Sequence, residues 1–331
     1  MNLAVIAGLV SVDGTAAMSS RNLMAALSAI TLRDVQADYR VHLRRQIEKA
    51  PKIRIAVDTA HGSVGAHFDA IFGDLPVEFL RLCWEPDGRF PSHEPNPLKD
   101  ENVRDLQESM RTTGADLGVA FDGDGDRCMF FGPGGTRIGS DLVTVLLARS
   151  ELRRHPGSAI VYDLRSSRVV PEEIRKAGGR PIRERVGHSF IKETMKNNDA
   201  IFGGELSGHY YFRDHYFADS GMMALAKMLD LLGREGKPID VLLAPLRRTS
   251  ATGEINFKVA DKDALMRTLA LTFKDARQDT LDGITIEYED WWFNVRASNT
   301  EPYLRLNLEA KTPEMLEAKR SQLVAILGKP V

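Results

Sequence analysis

The chain has 331 residues, with 44 Lys and Arg against 46 Asp and Glu and a formal net charge of −2. Single cores seldom grow past about 200 residues, so this length implies two or three packing units. The composition, 43% apolar and 27% charged, excludes disordered and fibrous classes. Near-balanced charge leaves no global field for nucleic acid or a membrane surface. Two cysteines, Cys83 and Cys128, suit neither a disulfide framework nor a four-thiolate zinc site, and a reducing cytoplasm is the expected compartment. No apolar run approaches the ~20 residues of a membrane-spanning helix. The apolar start, residues 3–10, lacks a preceding basic residue and runs into Asp13-Gly14, which is turn chemistry; it reads as a short strand rather than an export signal.

A small apolar stretch at 18–30 precedes an Arg-rich helical pattern over 31–49, which Pro51 ends. Residues 52–58 (KIRIAVD) alternate as a strand, and 59–65 form a glycine-bearing turn without the Gly-Lys-Ser/Thr ending of a Walker loop. An amphipathic helix at 102–113, a buried strand at 115–121 (ADLGVAF) and a helix at 141–152 follow. A second unit has strands at 159–163, 181–186 and 200–203, and helices at 170–177, 189–196 and 220–232, with Gly233 as a left-handed cap. A third unit opens near 247–260, with alternation at 254–259. It continues with a helix at 261–274, strands at 283–288, 291–296 and 303–309, and a helix at 312–327. Trp291-Trp292 and Met222, Met223 and Met228 read as core. The fold class is therefore α/β: two tandem α/β domains with mixed sheets followed by a C-terminal α+β domain.

Three loops carry chemistry. After the strand ADLGVAF comes Asp122-Gly-Asp124-Gly-Asp126-Arg127. Three alternating carboxylates repel one another unless a cation sits among them, and hard oxygens select Mg²⁺, Mn²⁺ or Ca²⁺. An EF-hand fails, since its glycine and glutamate positions hold Arg127 and Pro133. A phosphatase-type pair, with Asp122 as nucleophile and Asp124 as acid, is the competing reading, and a solvated acidic turn is the plain one. With three acids on one dication, phosphoryl oxygens or waters complete the shell, and Arg127 is placed to neutralise charge developing in transfer.

The second loop, Gly203-Gly-Glu205-Leu-Ser207-Gly-His209, lets the backbone approach a ligand closely. Glu205 and Ser207 suit adjacent hydroxyls of a polyol such as a sugar, and His209 suits an oxygen or phosphate nearby. A glycine turn with a solvated Glu is the alternative. Gly187-His188 opens a helix, where amides help a histidine hold an anion; a satisfied core histidine competes. The third loop, Arg296-Ala-Ser298-Asn299-Thr300-Glu-Pro, joins hydroxyls, turn amides and a guanidinium fork, as a phosphate dianion requires. A polar hairpin turn is the plain reading.

In this order, residues 120–127, 204–209 and 296–302 resemble the metal, sugar and phosphate loops of the α-D-phosphohexomutases, the phosphomannomutase/phosphoglucomutase family. The stretch Pro86-Asp-Gly-Arg-Phe-Pro-Ser-His-Glu-Pro-Asn-Pro97, Gly187-His188 and Asp219-Ser-Gly-Met222 agree, and the similarity covers about 31–331. The resemblance implies Mg²⁺ at Asp122, Asp124 and Asp126. It also implies sugar contacts from Arg165, Gly187, Glu205, Ser207 and His209, and phosphate contacts from Arg296, Ser298, Asn299 and Thr300. Arg127 and His188 are the expected catalytic groups. It divides the chain into 1–50, a first-domain remnant and linker helix; 51–152, with the metal loop; 153–246, with the sugar loop; and 247–331, with the phosphate loop. Leu206 and the run from His209 to Asp214 look more like the mannose/glucose branch than the glucosamine-phosphate branch.

The implied reaction interconverts hexose 1- and 6-phosphates. The family's Thr-Ala-Ser-His-Asn-Pro-like phosphoserine loop does not occur in this sequence, since Ser11, Ser19, Ser20 and Ser28 lack the His-Asn-Pro neighbours. Turnover is therefore expected to need a separate chain supplying that loop, or glucose or mannose 1,6-bisphosphate as activator. The alternatives are a non-catalytic phosphosugar-binding protein and a Mg²⁺-dependent sugar phosphatase. No nucleic-acid or membrane partner is expected.

Overall fold

The computed structural model describes residues 34–259, 261–298 and 302–331. The strand expected at 3–10, the stretch at 18–30, the first residues of the 31–49 helix, and Asn299 and Thr300 lie outside the described residues. Helix α1 (Gln36–Arg44) is shorter than the 31–49 pattern. The first sheet contains β1 (Arg54–Asp58), β2 (Glu78–Leu82), β3 (Leu117–Phe121), β4 (Cys128–Gly132) and β5 (Thr136–Arg137) in the order β2-β1-β3-β4-β5. Helices α2 (Gly65–Phe72) and α3 (Arg104–Thr113) connect its parallel strands. β1 pairs parallel with β2 and β3, whereas β4 and β5 run antiparallel. Every residue of β3 is buried, as in a strand covered on both faces.

After α4 (Ser140–Arg154) the second sheet repeats this plan. Its members are β6 (Ala159–Asp163), β7 (Arg180–Glu184), β8 (Phe202–Gly204), β9 (Tyr210–Phe212) and β10 (Ala218–Asp219), in the order β10-β9-β8-β6-β7. β6 again lies between two parallel neighbours and the last two strands reverse. Helices α5 (Val169–Lys176) and α6 (His188–Asn197) connect the parallel strands, and α7 (Gly221–Glu235) and the short α8 (Ile239–Leu243) follow the sheet. The duplication sets the loop after β3, residues 122–127, and the loop after β8, residues 205–209, at equivalent places. The two β1-type strands likewise end on equivalent acids, Asp58 and Asp163.

The third unit is wholly antiparallel: β11 (Ser250–Phe257), β12 (Arg277–Asp279), β13 (Ile284–Glu287), β14 (Trp291–Ala297) and β15 (Leu304–Ala310), ordered β11-β15-β14-β13-β12. Helices α9 (Lys262–Thr272) and α10 (Pro313–Leu327) are capped by Asp261 and Thr312. Trp291 and Trp292 are buried, as expected of core residues. One apolar cluster from Leu43 to Leu246 runs through both α/β sheets, while the third sheet has its own, from Phe257 to Leu327. Among the described residues no helix is long and apolar enough to cross a membrane.

Gly233 does not cap α7. The helix runs on to Glu235, and Gly236 takes the left-handed cap at φ +60°. Gly233 instead admits another segment of the chain: a Cβ there would lie 1.9 Å from the Lys49 carbonyl oxygen. Alongside it, buried Asp230 Oδ1 accepts from the Glu48 and Lys49 amides at 2.9 and 3.1 Å, and its Oδ2 accepts from Arg154 and Arg234. Gly233→Ala is expected to lower stability by about 1–3 kcal/mol through overpacking, despite alanine's better helix propensity. A urea-denaturation midpoint higher than the parent's would contradict this close approach.

α1 docks through a histidine pair, His42 Nε2 lying 3.0 Å from His215 Nδ1 with the rings stacked. Burial, then the neighbouring His42, pushes His215 down to about 4, and burial followed by Arg45 lowers His42 too. A base whose native pKa lies below its unfolded value contributes fully above the unfolded value of ~6.5, and the contribution is lost as pH falls toward the native value. Between pH 7 and pH 5, docking should weaken on the order of 1–2 kcal/mol. Hydrogen exchange at residues 36–46 should rise over that interval, and His215→Phe should remove most of the pH dependence, leaving the smaller part due to His42.

Candidate active site

The acidic loop is a closed ring around Asp122. The Gly125 and Arg127 amides donate to Asp122 Oδ1 at 3.0 and 3.2 Å, and Arg127 Nε donates to Oδ2 at 2.6 Å. Gly125 reaches the positive φ, +77°, that this turn demands. Asp122 is buried, Asp124 exposed and Asp126 half-buried, and one carboxylate oxygen from each lies within 4.8 Å of the others. Burial raises the Asp122 pKa, and the Asp126 charge adds to this against the pull of Arg127. With both oxygens committed, Asp122 is a poor nucleophile, which disfavours the phosphatase reading.

The second sheet clamps this ring from the opposite side. Gly221 N–H, at the start of α7, donates to Gly125 O at 2.9 Å, and a Cβ on Gly221 would lie 2.9 Å from Arg127 O. Arg127 and His209 form an isolated antiparallel bridge, in which Cys128 N–H donates to Gly208 O at 3.0 Å. The metal-loop and sugar-loop candidates, 83 residues apart between Asp126 and His209 in sequence, thus share one seam.

His209 spans that seam. Its Nε2 is 3.6 Å from Asp126 and its Nδ1 is 3.3 Å from Glu205 and 2.9 Å from Ser207 Oγ. Burial works to neutralise the ring, but the two carboxylates outweigh it and bring His209 up to about 9. Correspondingly, Asp126 and Glu205 are held low by His209 against their own burial. Glu205 is 2% exposed, and accepts from Gly187 N–H at 3.1 Å and from the Tyr211 hydroxyl at 2.5 Å. Ser207 is only half-buried. His188 opens α6 and is exposed, with no side-chain hydrogen bond among the described residues; it is not joined to the His209 cluster.

A polar relay continues to the third unit. Asp163 Oδ1 accepts from the Arg165 amide, and Oδ2 from both the Arg165 guanidinium at 2.8 Å and the Leu206 amide at 2.7 Å. Arg165 Nη1 lies 3.6 Å from Glu254, which also pairs with Arg296 and Arg305, each at 3.0 Å. Arg165 is thus shared between Glu254 and Asp163. Burial and then Arg165 lower the Arg296 pKa, and its buried Nε has no hydrogen-bond partner among the described residues. Ser298 opens the hairpin turn, its amide donating to Tyr303 O at 3.0 Å.

Sequence reading missed Glu254, Asp163 and Lys192, whose ammonium pairs with Asp219 at 2.8 Å; one oxygen of Asp219 lies within 4.8 Å of donor atoms on Asp126 and His209. Only the alternation around Glu254 and the placement of Asp163 at a strand's C-terminal end offered any signal.

Comparison with known proteins agrees with this geometry. Models of phosphoglucomutase/phosphomannomutase alpha/beta/alpha domain II, alpha/beta/alpha domain III and the C-terminal domain match residues 33–135, 139–249 and 254–326. The Methanocaldococcus jannaschii phosphomannomutase is 39% identical over 281 residues, 85% of this chain and 63% of that protein. A Xanthomonas campestris pv. campestris protein named phosphohexose mutases is 36% identical over 325 residues, 97% of this chain and 72% of its own length. The crystal structure of a Burkholderia thailandensis phosphoglucomutase/phosphomannomutase family protein superposes with a TM-score of 0.81 at 32% identity, covering 90% of this chain and 66% of that one. The chain spans about two thirds of the length of these relatives. Three consecutive family models and this level of identity over nearly its whole length establish that the chain belongs to the phosphoglucomutase/phosphomannomutase family, the α-D-phosphohexomutases.

Proposed function

We propose that the chain binds a phosphorylated hexose across its three loops and carries the metal, sugar and phosphate parts of a mutase interconverting hexose 1- and 6-phosphates of the mannose/glucose type. The observation that carries this reading is the set of polar contacts Asp122–Arg127, Asp126–His209–Glu205, Leu206–Asp163–Arg165 and Arg165–Glu254–Arg296. They link a cluster of hard-oxygen donors to the arginines around Glu254.

The carboxylates fit Mg²⁺: all donors are oxygens, and burial, with the Asp126 charge adding to it, raises the Asp122 pKa, a cost that a dication would offset. Asp122, Asp124 and Asp126 would hold it, and when bound it supplies Lewis-acid polarisation of a phosphoryl oxygen. Arg127, oriented by Asp122, adds positive charge beside that oxygen. Protonated His209 holds the two loops at fixed separation and offers a proton near the transferring group. Ser207 presents its hydroxyl to the sugar, with Glu205 organising Gly187, Tyr211 and His209 behind it. Arg296, with Ser298, Asn299 and Thr300, anchors the phosphate that stays in place. A family-type serine loop or a hexose 1,6-bisphosphate would supply the phosphoryl group.

Calorimetry should separate the two ends of the relay. Asp124→Asn, an exposed change, should weaken magnesium binding at least tenfold and leave hexose 6-phosphate affinity in the absence of metal within twofold. Arg296→Gln should weaken hexose phosphate binding about 10–100-fold, the loss of a charge-assisted pair, while magnesium binding persists. Parallel loss of both ligands in both variants would point to unfolding and overturn the assignment. With magnesium and hexose 1,6-bisphosphate, or an added family first domain, mannose 1-phosphate should convert to mannose 6-phosphate. Tight binding without conversion under either condition would instead select a binding role.

A further inference from the structure

The rim of the first sheet holds a second group of donors, chemically unlike the acidic loop. Asp58, at the C-terminal end of β1, is 1% exposed, and His93 Nε2 lies 3.0 Å from its Oδ2. Cys83 Sγ lies 3.7 Å from the same nitrogen, and the three donor atoms fall within 4.8 Å of one another. A tetrahedral zinc ion, about 2.0–2.1 Å from nitrogen and oxygen and about 2.3 Å from sulfur, sets ligand-to-ligand edges of roughly 3.3–3.6 Å. The 3.0 and 3.7 Å spacings from His93 bracket those edges, so shifts of a few tenths of an ångström would seat the ion.

Supporting contacts orient each donor. His93 Nδ1 lies 2.9 Å from the Glu94 carbonyl, so this nitrogen carries the hydrogen and Nε2 faces Asp58 and Cys83, as in metal-ligating histidines. Asp58 Oδ1 is fixed by the Ala60 amide at 2.8 Å, which leaves Oδ2 to the cluster. Cys83 adopts φ +49°, and its carbonyl accepts from Thr59 Oγ1 and the His61 amide, both at 2.7 Å. The His93 side chain is 12% exposed and Cys83 half-buried, so an ion can arrive from solvent.

We propose that Asp58, Cys83 and His93 form a second metal site, selective for a borderline-soft divalent cation of the zinc class, with water in the fourth position. Mixed oxygen, nitrogen and sulfur donors favour such an ion over magnesium. The site lies next to the acidic loop without sharing a ligand with it: Ser63 N–H donates to Gly123 O at 3.0 Å.

The test is cobalt(II) titration of the intact chain in excess magnesium, which occupies the acidic loop and ignores thiolates. One equivalent should bind tightly, with a thiolate-to-cobalt charge-transfer band and strong tetrahedral bands. Cys83→Ser should abolish the charge-transfer band, His93→Gln should weaken binding more than tenfold, and Asp122→Asn should retain the spectrum. Because Cys128 is fully buried, alkylation of the native protein reports on Cys83, and zinc should slow it without any mutation. A wild-type spectrum without charge transfer, a band that survives Cys83→Ser, or alkylation unaffected by zinc would each overturn the proposal.

Discussion

The site depends on one seam between two sheets that are far apart in sequence. Asp122 gathers its own loop, but the loop's position is set from outside, by the Gly221 amide on Gly125 O and by the bridge between Arg127 and His209. Three close carboxylates repel, and a free loop would spread them. Here the backbone cannot spread, because α7 begins against it and a single methyl at Gly221 would collide with two carbonyl oxygens. The scaffold therefore holds three carboxylates at a spacing their mutual repulsion opposes.

Charge alternates along the relay that leaves this seam. Acid, imidazolium, acid, guanidinium and acid follow one another from Asp126 through His209, Glu205 and Arg165 to Glu254. Each buried charge has an opposite neighbour, which is how a low-dielectric interior tolerates them. At its far end Arg165, Arg296 and Arg305 gather around Glu254, with Asp163 on the other side of Arg165. At its near end the three carboxylates of the acidic loop lie close together.

How much of this was legible follows from range along the chain. The three loops were readable because each keeps its chemistry within a few consecutive residues. The parallel pairing of the first two sheets and the hairpins of the third followed from the order of strands and helices. Residues acting across units were not legible: Glu254 is an ordinary strand acid until it meets Arg165, and Asp163 looks like a strand end until Leu206 donates to it. Gly233 misled because glycine near a helix end usually caps, whereas here its missing side chain makes room for Lys49 O. β2 went unread because an edge strand with mixed burial has no clear alternation, and α2 because eight residues hold barely two turns.

The two largest apolar clusters differ in which sheets they join. The α/β sheets share one, so prising them apart would expose hydrocarbon to water. The seam with the third unit is largely ionic: Arg168 with Glu309, Arg183 with Glu287 and Asp279, Arg165 with Glu254. The Arg165 side chain and Glu309 are themselves buried, so separating these pairs would leave desolvated charges without partners. The third unit therefore meets the α/β pair through matched charges, whereas the two α/β sheets meet through shared hydrocarbon.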